Sequence, residues 1–229
     1  MDSLIIDLRS ISVSFGSRSV LNGLSLSVGK GELVIVEGAT GAGKTTLIRL
    51  LLGALPVRSG SAGVLDADMT RASREELTRL RRRVGVVFQT PRFLERDSVL
   101  SNVILPLVIR GDNSARCRAE GTRALLEAGL SSCSRTCPRQ ISGGEQARLQ
   151  IARALIHKPY LLLADEPFAH LDPESAVEAE NLLATAHSRG MTVLITTHRP
   201  TRLIERARRY RLEGGRLVDN PETAAGASS

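Results

Sequence analysis

Leu33-Val34-Ile35-Val36-Glu37-Gly38-Ala39-Thr40-Gly41-Ala42-Gly43-Lys44-Thr45-Thr46, continued by Leu47 to Leu52, decides the fold of this chain. The stretch is apolar up to Glu37, as expected of a strand buried on both faces of a parallel sheet. Gly38 to Thr45 then matches G-x-x-x-x-G-K-[ST] in full, and Leu47 to Leu52 continues as a helix. Strand, Gly-rich loop and helix, in that order, is the context this motif requires. The glycines let backbone N–H groups face a β-phosphate. Lys44 reaches the β/γ oxygens, and the Thr45 hydroxyl is offered to Mg²⁺.

A second Gly-rich turn, Ile141-Ser142-Gly143-Gly144-Glu145-Gln146, leads into the amphipathic helix Ala147 to Leu155. The Ser142 hydroxyl and the amides of Gly143 and Gly144 form another anion cradle, built from unpaired N–H groups at a positive dipole end. This cradle has no lysine. A chain with both cradles uses both when two copies pair, each closing its second cradle over nucleotide held by its partner.

The acids follow from Leu161-Leu162-Leu163-Ala164-Asp165-Glu166, an apolar strand ending on two carboxylates. Asp165 is placed to hold Mg²⁺ through water, and Glu166 to polarise the attacking water. Gln89 ends the strand Val84 to Gln89 and is in reach of Mg²⁺ or that water. His198 ends the strand Met191 to His198, where it would hydrogen-bond a γ-phosphate. His157, His170 and His187 have no comparable placement. Phe15, just before Gly16, is either a core side chain or a ring on which an adenine stacks.

Around these motifs, Leu4 to Val13 and Val20 to Val28 read as strands, with a turn at Val28 to Glu32. Thr90 to about Lys158 reads as a helical insert, with Arg116 to Ala128 its clearest helix. Ser175 to Ser188 is helical, and Tyr210 to Val218 closes as a hairpin through Gly214-Gly215. Residues 1–219 form one domain, and 220–229, small and polar, form a disordered tail.

Composition narrows the class. The 229 residues suffice for one substantial core with a smaller appended unit. No apolar run approaches the roughly 20 residues that span a bilayer, and no basic segment followed by an apolar stretch opens the chain. The expectation is a protein that remains in the cytosol. Cys117, Cys133 and Cys137 lack the further ligands of a zinc site and read as inert thiols. The net charge of +7 is carried mostly by arginine. It clusters at Arg79-Leu80-Arg81-Arg82-Arg83 and again over Arg199, Arg202, Arg206, Arg208, Arg209 and Arg211. These clusters are either solvated faces or attractors for a polyanion. Aromatics are not interleaved with them, which weakens any case for base stacking.

Taken together, the motifs resemble the ATP-binding-cassette (ABC) ATPases over nearly the whole chain. The family's order is kept: aromatic Phe15, phosphate loop Gly38–Thr45, Gln89, signature Ile141–Gln146, Asp165-Glu166, Leu171-Asp172 and His198. Ile141 stands where Leu is usual, and Phe15 where Tyr is common. The resemblance implies an α/β fold with a RecA-like P-loop core, an N-terminal antiparallel β subdomain and an α-helical subdomain. It implies ATP and Mg²⁺ as cofactors. ATP would be held by Phe15, Gly38–Thr46 and the opposing Ser142–Glu145, and the metal by Thr45, Gln89 and Asp165. Glu166, His198 and Gln89 would be catalytic in a homodimer that clamps two ATP molecules.

Arg81 to Gln89, Leu94 to Val99 and Asn102 to Leu107 are more narrowly similar to the FtsE type, grouped with LolD and MacB. That similarity implies an integral membrane partner (FtsX-like or another four-span permease) and a peripheral place on the cytoplasmic face of the inner membrane. No specific nucleic-acid partner is expected. Phe93 and Leu94 would then dock the partner's coupling helix, or else belong to the core of the insert. Lipoprotein release or drug and peptide export of the LolD/MacB type remains open. More distant are a soluble ABC ATPase acting on nucleic acid or ribosomes, and a module that binds nucleotide without hydrolysis.

Overall fold

The computed structural model describes residues 4–219; the expected tail at 220–229 lies outside them. The N-terminal part is an antiparallel sheet in the order β2-β1-β4-β5, from β1 (Leu4–Phe15), β2 (Arg18–Gly29), β4 (Ser61–Val64) and β5 (Ala67–Asp68). β1 and β2 pair as a hairpin, with Ile6 opposite Val28, Leu8 opposite Leu26 and Ile11 opposite Leu24. Leu8 and Ile11 are three apart, a spacing that would put them on opposite faces of a regular strand. Ser10, at φ 52°, bulges the strand and the register shifts there, so both leucine and isoleucine reach the core.

The second sheet runs β10-β9-β3-β8-β7-β6. Its strands are β3 (Leu33–Glu37), β6 (Val84–Val87), β7 (Leu161–Asp165), β8 (Thr192–Thr197), β9 (Arg208–Glu213) and β10 (Arg216–Asp219). All neighbours are parallel except the β9–β10 hairpin. The period of two divides the buried strands between two cores. Val34, Val36, Leu161, Leu163 and Leu194 face α1 (Lys44–Leu51) and the antiparallel sheet. Leu33, Ile35, Leu162, Ala164, Val193 and Ile195 face the other side, with Ala179 and Leu183 of α6 (Pro173–Ser188). Burial on both faces explains why β3 and β7 read as unbroken apolar runs.

Between β6 and β7 the chain is helical: α3 (Val99–Arg110), α4 (Ser114–Glu127) and α5 (Gly143–Leu155). Val99, Val103, Leu107, Leu125 and Leu149 give these helices a core of their own, which also buries the thiols Cys117 and Cys133. Residues 88–98 form neither helix nor strand, so helix begins later than the sequence pattern suggested. β4, β5 and α2 (Arg74–Arg81) come from a stretch with no strong periodicity. Ser73 and Glu76 start α2 with a capping box.

The basic clusters are largely occupied by local partners. Arg81 donates to the carbonyls of Leu52 and Gly53 just past α1, at 3.0 and 2.9 Å. Arg83 pairs with Asp66 at 2.5 Å and stacks on Tyr160, 4.9 Å from the ring centroid. Arg208 pairs with Glu32, Arg209 with Glu37 and Arg211 with Glu213. No helix among the described residues is long and apolar enough to cross a membrane.

Candidate nucleotide site

The site forms where β3, β7 and β8 end together at the C-terminal edge of the parallel sheet. β3 delivers the loop from Gly38 to Gly43, and α1 begins at Lys44. A Cβ at Gly38 would lie 2.9 Å from the Leu212 carbonyl oxygen, so the backbone passes too close for any other residue. Gly43 caps the helix at φ 112°, a conformation that only glycine takes without strain. The Lys44 side chain curls back over the loop. Its ammonium donates to the carbonyls of Gly38 at 2.5 Å and Ala39 at 3.0 Å.

Asp165 is the last residue of β7 and is buried. It accepts from the Thr45 hydroxyl at 2.7 Å and from the Thr196 hydroxyl at 2.6 Å. Thr196 is its register partner on β8, so strand pairing itself sets one of these bonds. Glu166 leaves the strand in the left-handed region at φ 50°, its amide donating to the Thr196 carbonyl at 2.9 Å. That turn aims the carboxylate back across the sheet edge. Glu166 Oε1 lies 3.0 Å from the Lys44 ammonium, and Oε2 lies 2.9 Å from His198 Nδ1. The His198 backbone amide also donates to Oε2, at 3.2 Å.

These groups border a cleft of about 320 Å³. Phe15, 49% exposed, stands at one rim. The floor is Thr40, Gly41, Gly43, Lys44, Thr45 and Thr46, and the opposite wall is Gln89, Glu166 and His198. Gln89 lies two residues beyond the end of β6 rather than on the strand. Gly38, Ala39 and Ala42 border a neighbouring cleft behind the loop, and Asp165 sits beneath Thr45. An exposed ring, a row of loop amides with a buried ammonium, and a carboxylate paired with a histidine can hold a nucleotide base, its phosphates and a polarised water.

The second cradle is not part of this cleft. Ser142 caps α5: its hydroxyl accepts from the Glu145 amide at 3.2 Å, and its own amide donates to Glu145 Oε2 at 2.8 Å. The Ser142 hydroxyl donates to Glu145 Oε2 as well, at 2.9 Å, and the amide and hydroxyl donated to that carboxylate hold it below its ordinary value. Gly144 packs tightly against α6, where a Cβ would come within 2.2 Å of Ser175 Oγ. Within one chain, then, Ser142, Gly143, Gly144 and Glu145 are placed apart from the phosphate loop.

Sequence reading passed over two contributors. Arg18 also lines the cleft, three residues after Phe15 on the hairpin. Thr196 anchors Asp165, a role that the pairing register of two apolar strands could have disclosed.

A family model described as ABC transporter matches residues 21–169. The cell division ATP-binding protein FtsE of Haemophilus influenzae is 41% identical over 182 residues, 80% of this chain and 84% of that protein. The macrolide export ATP-binding/permease protein MacB of Chlorobaculum tepidum is 40% identical over 184 residues, 80% of this chain but 28% of that protein. A dimeric post-hydrolysis structure of the ATP-binding cassette MJ0796, bound to ADP and Pi, superposes with a TM-score of 0.82 at 28% identity. It covers 93% of this chain and 96% of that one. With a phosphate loop, paired strand-end acids and a RecA-like sheet behind them, the chain belongs to the ABC transporter family of ATPases.

Proposed function

We propose that this chain is the ATP-hydrolysing subunit of a membrane ABC complex, working as an ATP-bound homodimer on a separate integral membrane partner in the manner of FtsE in cell division. The observation that carries the dimer is the separation of the two cradles. The Ser142 cradle faces no phosphate loop of its own chain, so a second copy must supply the nucleotide it holds. The dimeric ADP- and Pi-bound relative supports the same arrangement. The FtsE relative, matched over most of both chains, supports an FtsX-like four-span partner and a peripheral place on the cytoplasmic face of the inner membrane.

In this reading the phosphates of ATP settle on the loop amides, and Lys44 turns from Glu166 to the β/γ oxygens. Phe15 stacks on the adenine. Thr45 and Asp165, already 2.7 Å apart, together with the Gln89 amide, form the all-oxygen donor set that suits Mg²⁺. When bound, Mg²⁺ would neutralise charge on the β and γ oxygens. Glu166 accepts a proton from water as its oxygen bonds to the γ-phosphorus and the bond to the ADP oxygen breaks. His198, tied to Glu166 through Nδ1, orients that carboxylate and leaves Nε2 for the γ-phosphate. Loss of the γ-phosphate opens the clamp.

The test is affinity capture of the Glu166→Gln variant from membranes with ATP, followed by mass spectrometry. Recovery of a four-span protein with a large extracytoplasmic domain is expected, and its identity separates division from the LolD/MacB-type release or export that the MacB relative keeps open. Recovery of ribosomes or nucleic acid without a membrane protein would overturn the reading. The local pairing of the arginine clusters speaks against that outcome.

A further inference from the structure

β6 is the edge strand of the parallel sheet, and it ends at Val87. Phe88, the next residue, has its backbone bonds made by a side chain instead of a strand. Gln150 of α5, only 2% exposed, accepts from the Phe88 amide through Oε1 at 2.9 Å. Its Nε2 donates to the Phe88 carbonyl at 2.9 Å. One buried amide therefore satisfies both polar groups of one residue, as a neighbouring strand would.

The consequence falls on Gln89. The Phe88 carbonyl belongs to the planar peptide that joins Phe88 to Gln89, so fixing that oxygen fixes the orientation from which the Gln89 backbone departs. Gln89 then points into the cleft beside Glu166 and His198, while Gln150 lines no part of it. The segment is held beyond Gln89 as well. Arg153, one turn along α5, donates to the Arg92 carbonyl at 2.7 Å and lies over the Phe93 ring at 4.8 Å. Buried Asn102 repeats the two-bond clamp on Leu94, accepting from its amide at 2.8 Å and donating to its carbonyl at 3.1 Å. Of these contacts, only the Gln150 clamp acts on the peptide adjoining Gln89.

We propose that Gln150 is the positioning residue for Gln89, holding the Phe88–Gln89 peptide so that the Gln89 amide meets the metal and the attacking water. This rests on the role given to Gln89 above. Gln150→Met keeps the length and volume of the side chain but removes both bonds. Removing this hold leaves Gln89 free to swing by an ångström or so, the scale at which turnover suffers while binding through Phe15 and the loop amides persists.

The experiment is a double-mutant cycle in the full-length protein: wild type, Gln89→Ala, Gln150→Met and the double variant. Turnover is normalised to ATP bound per chain, so that any unfolded fraction drops out, and is followed across Mg²⁺ concentration. Mn²⁺ binding with a non-hydrolysable ATP analogue, read by electron paramagnetic resonance, follows the metal without turnover and is expected to weaken in Gln150→Met. Gln150→Met is expected to lower kcat roughly tenfold and raise the Mg²⁺ needed for half-maximal rate, with KM for ATP within about twofold. In the Gln89→Ala background it should add less than about a twofold loss. Equal losses in both backgrounds, or a wild-type rate for Gln150→Met, would overturn the proposal. If Gln89→Ala alone is fully active, the role of Gln89 fails, and the proposal with it. Should Gln150→Met not fold, Gln150→Asn, one methylene too short for the clamp, is read in the same cycle with the same criteria.

Discussion

Glu166 Oε1 lies 3.0 Å from the Lys44 ammonium, and both side chains are only 6% exposed. The proposed base and the proposed phosphate-binding lysine thus neutralise each other. On the proposed function ATP separates them, because its phosphates would claim the same ammonium. Glu166→Gln keeps the shape and removes the competing charge. ATP is therefore expected to bind several-fold more tightly, as about 1 kcal/mol less competition implies. Turnover should fall at least about a hundredfold with the general base gone. Titration with a fluorescent ATP analogue and phosphate-release assays read the two effects separately. Weaker ATP binding by the variant would show that the pair does not compete with nucleotide.

Removing the other partner has the opposite consequence for stability. Lys44→Ala takes the ammonium from the buried Glu166 carboxylate and leaves it only His198, a change that costs about 3 kcal/mol when one member of a buried pair is lost. The double variant Lys44→Ala/Glu166→Gln has no charge to strand, so most of that loss should return. Urea unfolding of the two variants without nucleotide decides it. Equal destabilisation in both would mean that the ion pair is not the source.

The candidate site was legible because each of its residues sits at a place that sequence marks: a Gly-rich turn, the end of an apolar strand, a capping serine. Lys44, Thr45, Glu166 and His198 meet at one cleft because β3, β7 and β8 end together. What stayed hidden were residues that act through geometry alone. Thr196 reads as one more β-branched strand residue until the register places it against Asp165. Gln150 reads as a polar interruption of an amphipathic helix until α5 is seen to pack on the end of β6. β4, β5 and α2 escaped because a four-residue strand and a two-residue strand carry too little period to count.

The capping box at Ser142 has both a structural and a functional reading, and pH separates them. Ser142→Ala removes the hydroxyl that accepts from the Glu145 amide and donates to the Glu145 carboxylate, a loss of about 1 kcal/mol. Glu145 carries a lowered carboxyl value when folded, so its share of the box is fully present above the ordinary carboxylate range. That share is lost as pH falls through the lowered folded value. The stability gap between Ser142→Ala and wild type should therefore narrow in acid, as thermal melts across pH will show. At neutral pH, placing Ser142→Ala in the Glu166→Gln background should also reduce the ATP-trapped dimer seen by size-exclusion chromatography. Full dimer recovery would confine Ser142 to its cap.

Phe15 offers the cleanest division between binding and folding. Its ring is 49% exposed at the rim of the cleft, so truncation leaves no large void in the core. Phe15→Ala is expected to leave the melting temperature nearly unchanged. ATP affinity should drop roughly five- to thirtyfold, the loss expected when about 1–2 kcal/mol of ring–base stacking disappears. Phe15→Tyr keeps the π face and should bind as wild type does. Because the phosphates are held elsewhere, inorganic triphosphate should compete equally well for all three proteins. If Phe15→Ala instead weakens triphosphate and ATP alike, the ring shapes the phosphate loop from outside rather than stacking on adenine.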